Sequence, residues 1–282
     1  MEERTEERER YSVFTVTVPG STIQTSITTS TIELILLYWV KEKHRGTTMM
    51  SEAAQTRRKN IKNSNWYDEK IHKIYNIPIQ NLEEIITDVK AKIEIHGGPT
   101  KCAVREMGVF SHAGSDGPIV YIEEVETYPL SEKDKHQMSL DGWAAIEINW
   151  MPDALCVFYG CNTGKSFPDK SFARNISGLA NFKDVEVWGQ STSAYPSFLP
   201  DYRITNLARS GYKIKIIDHV PLSFDVAETY LVGGNSKDAP NALTMNPRGE
   251  YPKANFLNCY KNEKLIRSTH QGFFNDHRNK NL

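Results

Sequence analysis

Two apolar runs, each halted by a glycine-rich loop, constrain this chain more than any other feature. Residues 154–159, Ala-Leu-Cys-Val-Phe-Tyr, are uninterrupted and stop at Gly160-Cys161-Asn162-Thr163-Gly164. The segment 103–111 carries Val104, Met107, Val109 and Phe110 and stops at His112-Ala113-Gly114-Ser115-Asp116-Gly117-Pro118; its second half, 106–111, reads as a buried strand. Continuous apolar runs of this length fit strands covered on both faces of a sheet, and clustered Gly and Pro mark the turn that follows a strand. A third short run, 185–188, ends at Gly189-Gln190-Ser191-Thr192-Ser193. Apolar residues 119–122 follow the first turn, and 123–135 reads as polar loop.

Helical periodicity lies between these runs. Leu82, Ile85, Ile86, Val89 and Ile93 recur at 3.6-residue spacing, with Asn81 as candidate N-cap and Glu83 and Glu84 in the first turn, so 81–95 is expected to be a helix closed by Gly97-Gly98-Pro99. A second helical face runs over 140–150 (Trp143, Ala144, Ile146, Trp150), and a third over about 170–180 (Phe172, Ala173, Ile176, Leu179). Strand–helix alternation of this kind implies a parallel sheet with helices on both faces. The expected fold class is therefore α/β, a three-layer sandwich with a mostly parallel central sheet.

The flanks read differently. Residues 1–60 combine a mixed charge run, a Thr/Ser-rich alternating stretch over 15–31 and a second Met pair at Met49-Met50. They are read as a leader, trafficking or docking segment that contributes little to the core, ahead of a domain over 61–282; an upstream start on the true domain is the other reading. The short basic run Arg57-Arg58-Lys59 is taken as solvated. Residues 214–220 and 229–232 are strand candidates. Residues 233–260 are rich in Asn, Pro and Gly and read as irregular, and the region around His270, His277 and Asn279 reads as a tail.

Charge and cysteine usage narrow the function. The 34 Lys and Arg nearly balance the 35 Asp and Glu, and no basic stripe of the kind that binds nucleic acid stands out. The longest apolar run, from Ile32 to Val40, is broken by Glu33 and is too short to span a bilayer. The charged N-terminus lacks the apolar stretch of a Sec signal peptide, so the expected location is the cytoplasm or a compartment reached by another secretion route. Four cysteines without a C-x-x-C pair argue against both a zinc ribbon and a disulfide framework. Cys156, inside a strand, is expected to be core.

Ligands of open α/β sheets bind at the carboxyl ends of the strands. Here one strand delivers His112 and another delivers Cys161. A thiol attacks a carbonyl carbon as thiolate, and a neighbouring imidazole takes its proton. Backbone N–H groups from Asn162 to Gly164, just ahead of a helix, are expected to hold the thiolate and a developing oxyanion.

Strand–Ser111-His112-Ala113-Gly114, followed by strand–Gly160-Cys161-Asn162-Thr163-Gly164 and Ser171-Phe172-Ala173, resembles the caspase-fold cysteine peptidases, the clan of caspases, gingipains, clostripain and bacterial CHAT-type domains. The resemblance covers roughly residues 80–195. It implies a caspase-like architecture with His112 as general acid/base, Cys161 as nucleophile, and Gly114 and Gly160 as loop glycines lining the site. The pattern departs from the clan where Ala113 follows the His and where Tyr159-Gly160 precedes the Cys. The segment from Gly108 to Ile119 also resembles parts of bacterial polymorphic toxins and secreted antibacterial effectors, which implies an immunity or delivery protein as partner.

The expectation is a cysteine peptidase or amidase acting on a protein or peptide, with Asp116, Ser191 and Thr192 as substrate contacts and no metal or cofactor. The alternative is a non-catalytic α/β binding module. A papain-like arrangement would use Cys102 with His112 or His136. Zinc deaminase, α/β-hydrolase and P-loop signatures are not met.

Overall fold

The computed structural model describes residues 11–18, 21–28, 31–41, 47–121, 135–165, 171–192, 194–197, 203–209, 213–217, 220–225, 229–231 and 256–270. In chain order the elements are β1 (Tyr11–Val18), β2 (Ser21–Thr28), β3 (Ile32–Val40), α1 (Thr47–Lys62), β4 (His72–Ile79), α2 (Glu84–Ile95), β5 (Cys102–Phe110), β6 (His112–Gly114), β7 (Gly117–Tyr121), β8 (Lys135–His136), α3 (Leu140–Ala144) and β9 (Trp150–Phe158). They continue with α4 (Phe172–Ser177), β10 (Glu186–Gln190), β11 (Ala194–Ser197), β12 (Arg203–Arg209), β13 (Lys213–Ile217), β14 (Val220–Asp225), β15 (Thr229–Leu231), β16 (Phe256–Lys261) and β17 (Lys264–His270).

Seven strands form the central sheet in the order β17-β16-β10-β9-β5-β3-β4. The five from β10 to β4 are mutually parallel, and β16 and β17 close the other edge antiparallel. The expected α/β class with a mostly parallel sheet is thus present. The reason is visible in β3. Leu34, Leu36, Tyr38 and Val40 pack into one core with Ile85, Val89 and Ile93 of α2, Trp143 of α3 and Phe172 and Ile176 of α4. The alternate residues Ile35 and Leu37 pack into a second core with Met50, Ala53, Ala54 and Ile61 of α1. Both faces are covered, so the strand needs apolar side chains in both phases.

This corrects the reading of residues 1–60 as peripheral. Strand β3 lies inside the sheet between β4 and β5, and residues Leu34 to Tyr38 are wholly buried. A domain boundary at residue 60 would cut through α1 and discard the strand around which the sheet is ordered. The Arg57-Arg58-Lys59 run is not simply solvated either. Arg57 is buried and makes a bidentate ion pair with Glu106 of β5, Nε to Oε1 at 2.7 Å and Nη2 to Oε2 at 2.6 Å. Burial opposes its charge, but the facing Glu106 carboxylate outweighs that and pushes the guanidinium further up.

Other expectations shift at their boundaries. Helix α2 starts at Glu84 rather than Asn81, because the Glu84 side chain accepts from the backbone N–H groups of Gln80 and Asn81 and closes the turn ahead of it. The helix expected over 140–150 stops at Ala144, and Trp150 to Pro152 already belong to β9. The expected helix over 170–180 is the six residues of α4. Residues 233–260 are not all irregular: Phe256–Lys261 is a sheet strand whose Leu257 and Cys259 are wholly buried, and His270 ends β17 rather than starting a tail. Residues 123–134, 232–255 and 271–282 lie outside the described residues. Among the described residues no helix is long and apolar enough to cross a membrane.

Candidate functional site

The carboxyl ends of β5 and β9 are adjacent because the two strands pair in parallel, with Val109 opposite Phe158. The ladder runs one step further: the Tyr159 N–H donates to the Val109 carbonyl at 2.9 Å. On that step Phe110 and Tyr159 stack face to face, centroids 4.1 Å apart and planes 6° from parallel. His112 and Cys161 lie two residues beyond this pair, one on each chain. Neighbouring strands run about 4.8 Å apart, so the segments that carry His112 and Cys161 leave the sheet side by side.

The glycine at 160 makes that convergence possible. A Cβ there would stand 2.4 Å from the Ala113 Cβ and 3.0 Å from the Ser111 carbonyl oxygen. The Cys loop therefore rests directly on the chain that carries His112. Residues His112–Gly114 pair with Gly117–Tyr121 as a tight antiparallel hairpin, His112 opposite Ile119. Ala113 faces Gly160, so His112 lies on the opposite face of this short strand.

The Cys loop is fixed to β10 and β16. The Asn162 N–H donates to the Thr192 carbonyl and the Gly164 N–H to the Gln190 carbonyl, both at 2.9 Å. The buried Thr163 hydroxyl lies 3.0 Å from the Gly160 carbonyl and 3.2 Å from that of Phe158, and it accepts from the Gln190 N–H at 3.2 Å. The Gly164 carbonyl accepts from Asn258 Nδ2 at 2.8 Å and from the Tyr260 hydroxyl at 3.2 Å. Asn162 takes φ 58°, a left-handed conformation that Asn tolerates better than most residues. Behind the loop, Trp143, Phe158 and Phe172 form an edge-to-face cluster with centroids 4.8–5.7 Å apart. A site framed this way sits on a rigid support.

The same hydrogen bonds correct one expectation. The N–H groups of Asn162 and Gly164 are committed to the carbonyls of Thr192 and Gln190, so they do not point at an oxyanion. The helix expected after the Cys loop is α4, which starts at Phe172 and whose Ala173 N–H donates to the Thr163 carbonyl.

Of the expected substrate contacts, Ser191 and Thr192 follow β10 directly and share the rim with Cys161, both half-buried. Gly114 and the exposed Asp116 sit at the hairpin tip, where a Cβ on Gly114 would lie 2.3 Å from Asp116 Oδ1. The carboxylate is thus folded back over the tip.

Cys161 is the one cysteine of four that is not buried, and none of the four is in a disulfide. Burial pushes the thiols of Cys102 and Cys259 up to about 11 and about 12, and that of Cys156 well upward. Cys102 also stands at the start of β5, and with His112 just past its end the two are roughly 30 Å apart at about 3.3 Å per residue. This removes the papain-like pairing of Cys102 with His112.

Two further side chains at this end of the sheet lie outside the sequence expectations. Gln190 is wholly buried with both amide atoms unpartnered among the described residues, and so is the Tyr159 hydroxyl. The one sequence signal was a polar Gln closing an apolar strand, Val-Trp-Gly-Gln. No family model matches the chain, and neither curated proteins nor solved structures give a match.

Proposed function

We propose that this chain is a cysteine-dependent hydrolase of peptide or amide bonds, with Cys161 as nucleophile and His112 as general acid/base. One observation carries the reading: the only cysteine that is not buried and a histidine follow neighbouring parallel strands at the same end, on a frame locked by the Phe110–Tyr159 stack and the Gly160–Ala113 contact. His112 takes the thiol proton as the sulfur bonds to the substrate carbonyl carbon. The C–N bond then breaks, and the leaving amine receives that proton from His112. Water, deprotonated by His112, attacks the thioester, releasing the acid and returning the proton to the sulfur. The caspase-like and toxin-module resemblances belong to this reading.

Cys161→Ala should abolish hydrolysis of a mixed peptide pool while leaving the thermal unfolding midpoint within a few degrees. Undiminished hydrolysis by that variant contradicts the proposal. A second reading, a binding module using the same rim, is favoured by the engaged N–H groups of Asn162 and Gly164. It predicts that Cys161→Ala retains partner binding and that no peptide is cut by either form.

A further inference from the structure

The Cys loop is held from the far end of the chain. The Gly164 carbonyl accepts from Asn258 Nδ2 at 2.8 Å, across 94 residues of sequence, and from the Tyr260 hydroxyl at 3.2 Å. Both side chains are buried, and they stand two residues apart on β16, hence on one face. Asn258 lies opposite Gly189 of β10. Gly189 has no side chain, and a Cβ there would stand 2.5 Å from the Gly164 nitrogen. The loop therefore rests on bare β10 backbone, where a carboxamide from the next strand reaches its carbonyl.

A carboxamide donates at one end and accepts at the other, and only one orientation suits this place. The Gly164 carbonyl cannot donate, so it needs Nδ2. At the other end Ser268 of β17 lies opposite Asn258, and its hydroxyl donates to Oδ1 at 2.7 Å. A one-residue bulge makes that pairing. From the hairpin turn, Lys261 faces Lys264 and Tyr260 faces Leu265, a register that would set Arg267 opposite Asn258. The shift between Cys259 and Tyr260 sets Ser268 there instead. Arg267 then faces Cys259 and pairs with Glu186. The turn itself is anchored. The Glu263 N–H donates to Ser177 Oγ at 2.9 Å, and Asn262 and Asp184 exchange hydrogen bonds of 2.8 and 3.0 Å.

Resting on the hydrolase reading, we infer that Asn258 is a positioning residue for Cys161: it holds the loop of the nucleophile through the Gly164 carbonyl, and Ser268 fixes the orientation of its amide. Cys161 precedes that carbonyl within one turn, which the Lys165 N–H closes on the Asn162 carbonyl at 3.0 Å. In a turn this tight, swinging the Gly164 peptide carries Asn162 and Cys161 with it. Asn258 is buried and acts on the reaction only through the place of the sulfur. A displacement of about 1 Å there is worth up to about a hundredfold in rate.

The test replaces Asn258 in the full chain. It follows Cys161 alkylation by iodoacetamide and, with a peptide that the parent cuts, kcat and KM, using Cys161→Ala as blank. Asn258→Asp keeps the shape and still accepts from Ser268, but as a carboxylate it turns an oxygen on the Gly164 carbonyl. Near pH 7 it should slow alkylation and kcat by about tenfold, with KM and the circular dichroism spectrum unchanged. The protonated acid can donate to Gly164, and burial favours that form. The ratio of variant to parent rate, read at each pH, should therefore climb back toward one as pH falls from about 8 to about 5. A role confined to stability would not separate kcat from KM in a folded enzyme. Ser268→Ala removes only the orienting donor and should slow both rates by about two- to fivefold, the equivalent of a neutral hydrogen bond; it gives the readout if Asn258→Asp does not fold. A folded Asn258→Asp form with the parent's alkylation and cleavage rates at pH 7 overturns the inference and leaves the hydrolase reading intact. Slower alkylation without Cys161-dependent cleavage by any form supports the hold of Asn258 on Cys161 and overturns the hydrolase reading.

Discussion

Replacing Arg57 with Met tests how α1 is fastened to the sheet. The guanidinium is buried against the Glu106 carboxylate with two hydrogen bonds of 2.7 and 2.6 Å. Met keeps much of the aliphatic volume, so the loss is chiefly electrostatic: a carboxylate remains in the core without its counter-charge. Breaking a buried pair from one side costs about 3–5 kcal/mol, whereas replacing both members with apolar side chains is often close to neutral. For a chain of this size each kcal/mol moves the unfolding midpoint by about 2–4 °C, so Arg57→Met should lower it by roughly 6–20 °C. Arg57→Met with Glu106→Leu should recover most of that loss. Lys62→Met, at the exposed end of the same helix, should stay within about 0.5 kcal/mol. Urea and thermal unfolding followed by circular dichroism measure all three. A single variant as stable as the parent, or a double variant no better than the single, would refute the description of a buried pair between α1 and β5.

Gly164→Ala should cost about 3 kcal/mol, because its Cβ would lie 2.2 Å from the Gly189 carbonyl oxygen and 2.4 Å from its carbon, backbone atoms that cannot swing aside. Gly98→Ala, with φ +83° but nothing within 4 Å, should cost only the backbone strain, about 1–2 kcal/mol; denaturant midpoints separate the two. The buried thiols make a pH prediction. The Cys102 and Cys259 thiols, ordinarily at 9.0, are raised to about 11 and about 12 in the fold, so the folded state favours the neutral form. Their contribution to stability is full below pH 9 and is lost as pH climbs toward 11–12. The parent should lose stability more steeply over that window than Cys259→Ala, and equal slopes would contradict the burial described for this thiol.

Much of the sheet was legible because burial on both faces writes itself into the chain as unbroken apolar runs. Residues 154–159 and 185–188 needed no partner to be recognised as strands, and the spacing from Leu82 to Ile93 could form only one apolar stripe. What could not be read was long-range compensation. Arg57 looks solvated until Glu106 is set beside it, and Glu106 looks misplaced in a strand until Arg57 arrives. Strand β3 is plain as an apolar run, but nothing local says that Ile32–Val40 inserts between β4 and β5, so the sequence by itself leaves it in a peripheral segment. At the candidate site, the placement of His112 and Cys161 at strand ends was legible from glycine-rich stops. The engagement of the Asn162 and Gly164 N–H groups was not, because their acceptors lie on β10 and beyond, outside any local pattern.

The proposed hydrolase needs His112 and Cys161 to act as one unit, and the rate of Cys161 alkylation by iodoacetamide, followed peptide by peptide in the mass spectrometer, measures that directly. In the folded protein near pH 7, Cys161 should be labelled ahead of Cys102, Cys156 and Cys259, and His112→Ala should slow it by about tenfold, the difference between an activated thiol and an ordinary one that is only a few per cent thiolate. An unchanged rate in His112→Ala, or a Cys161 that reacts no faster than a free cysteine, would contradict the proposed pairing.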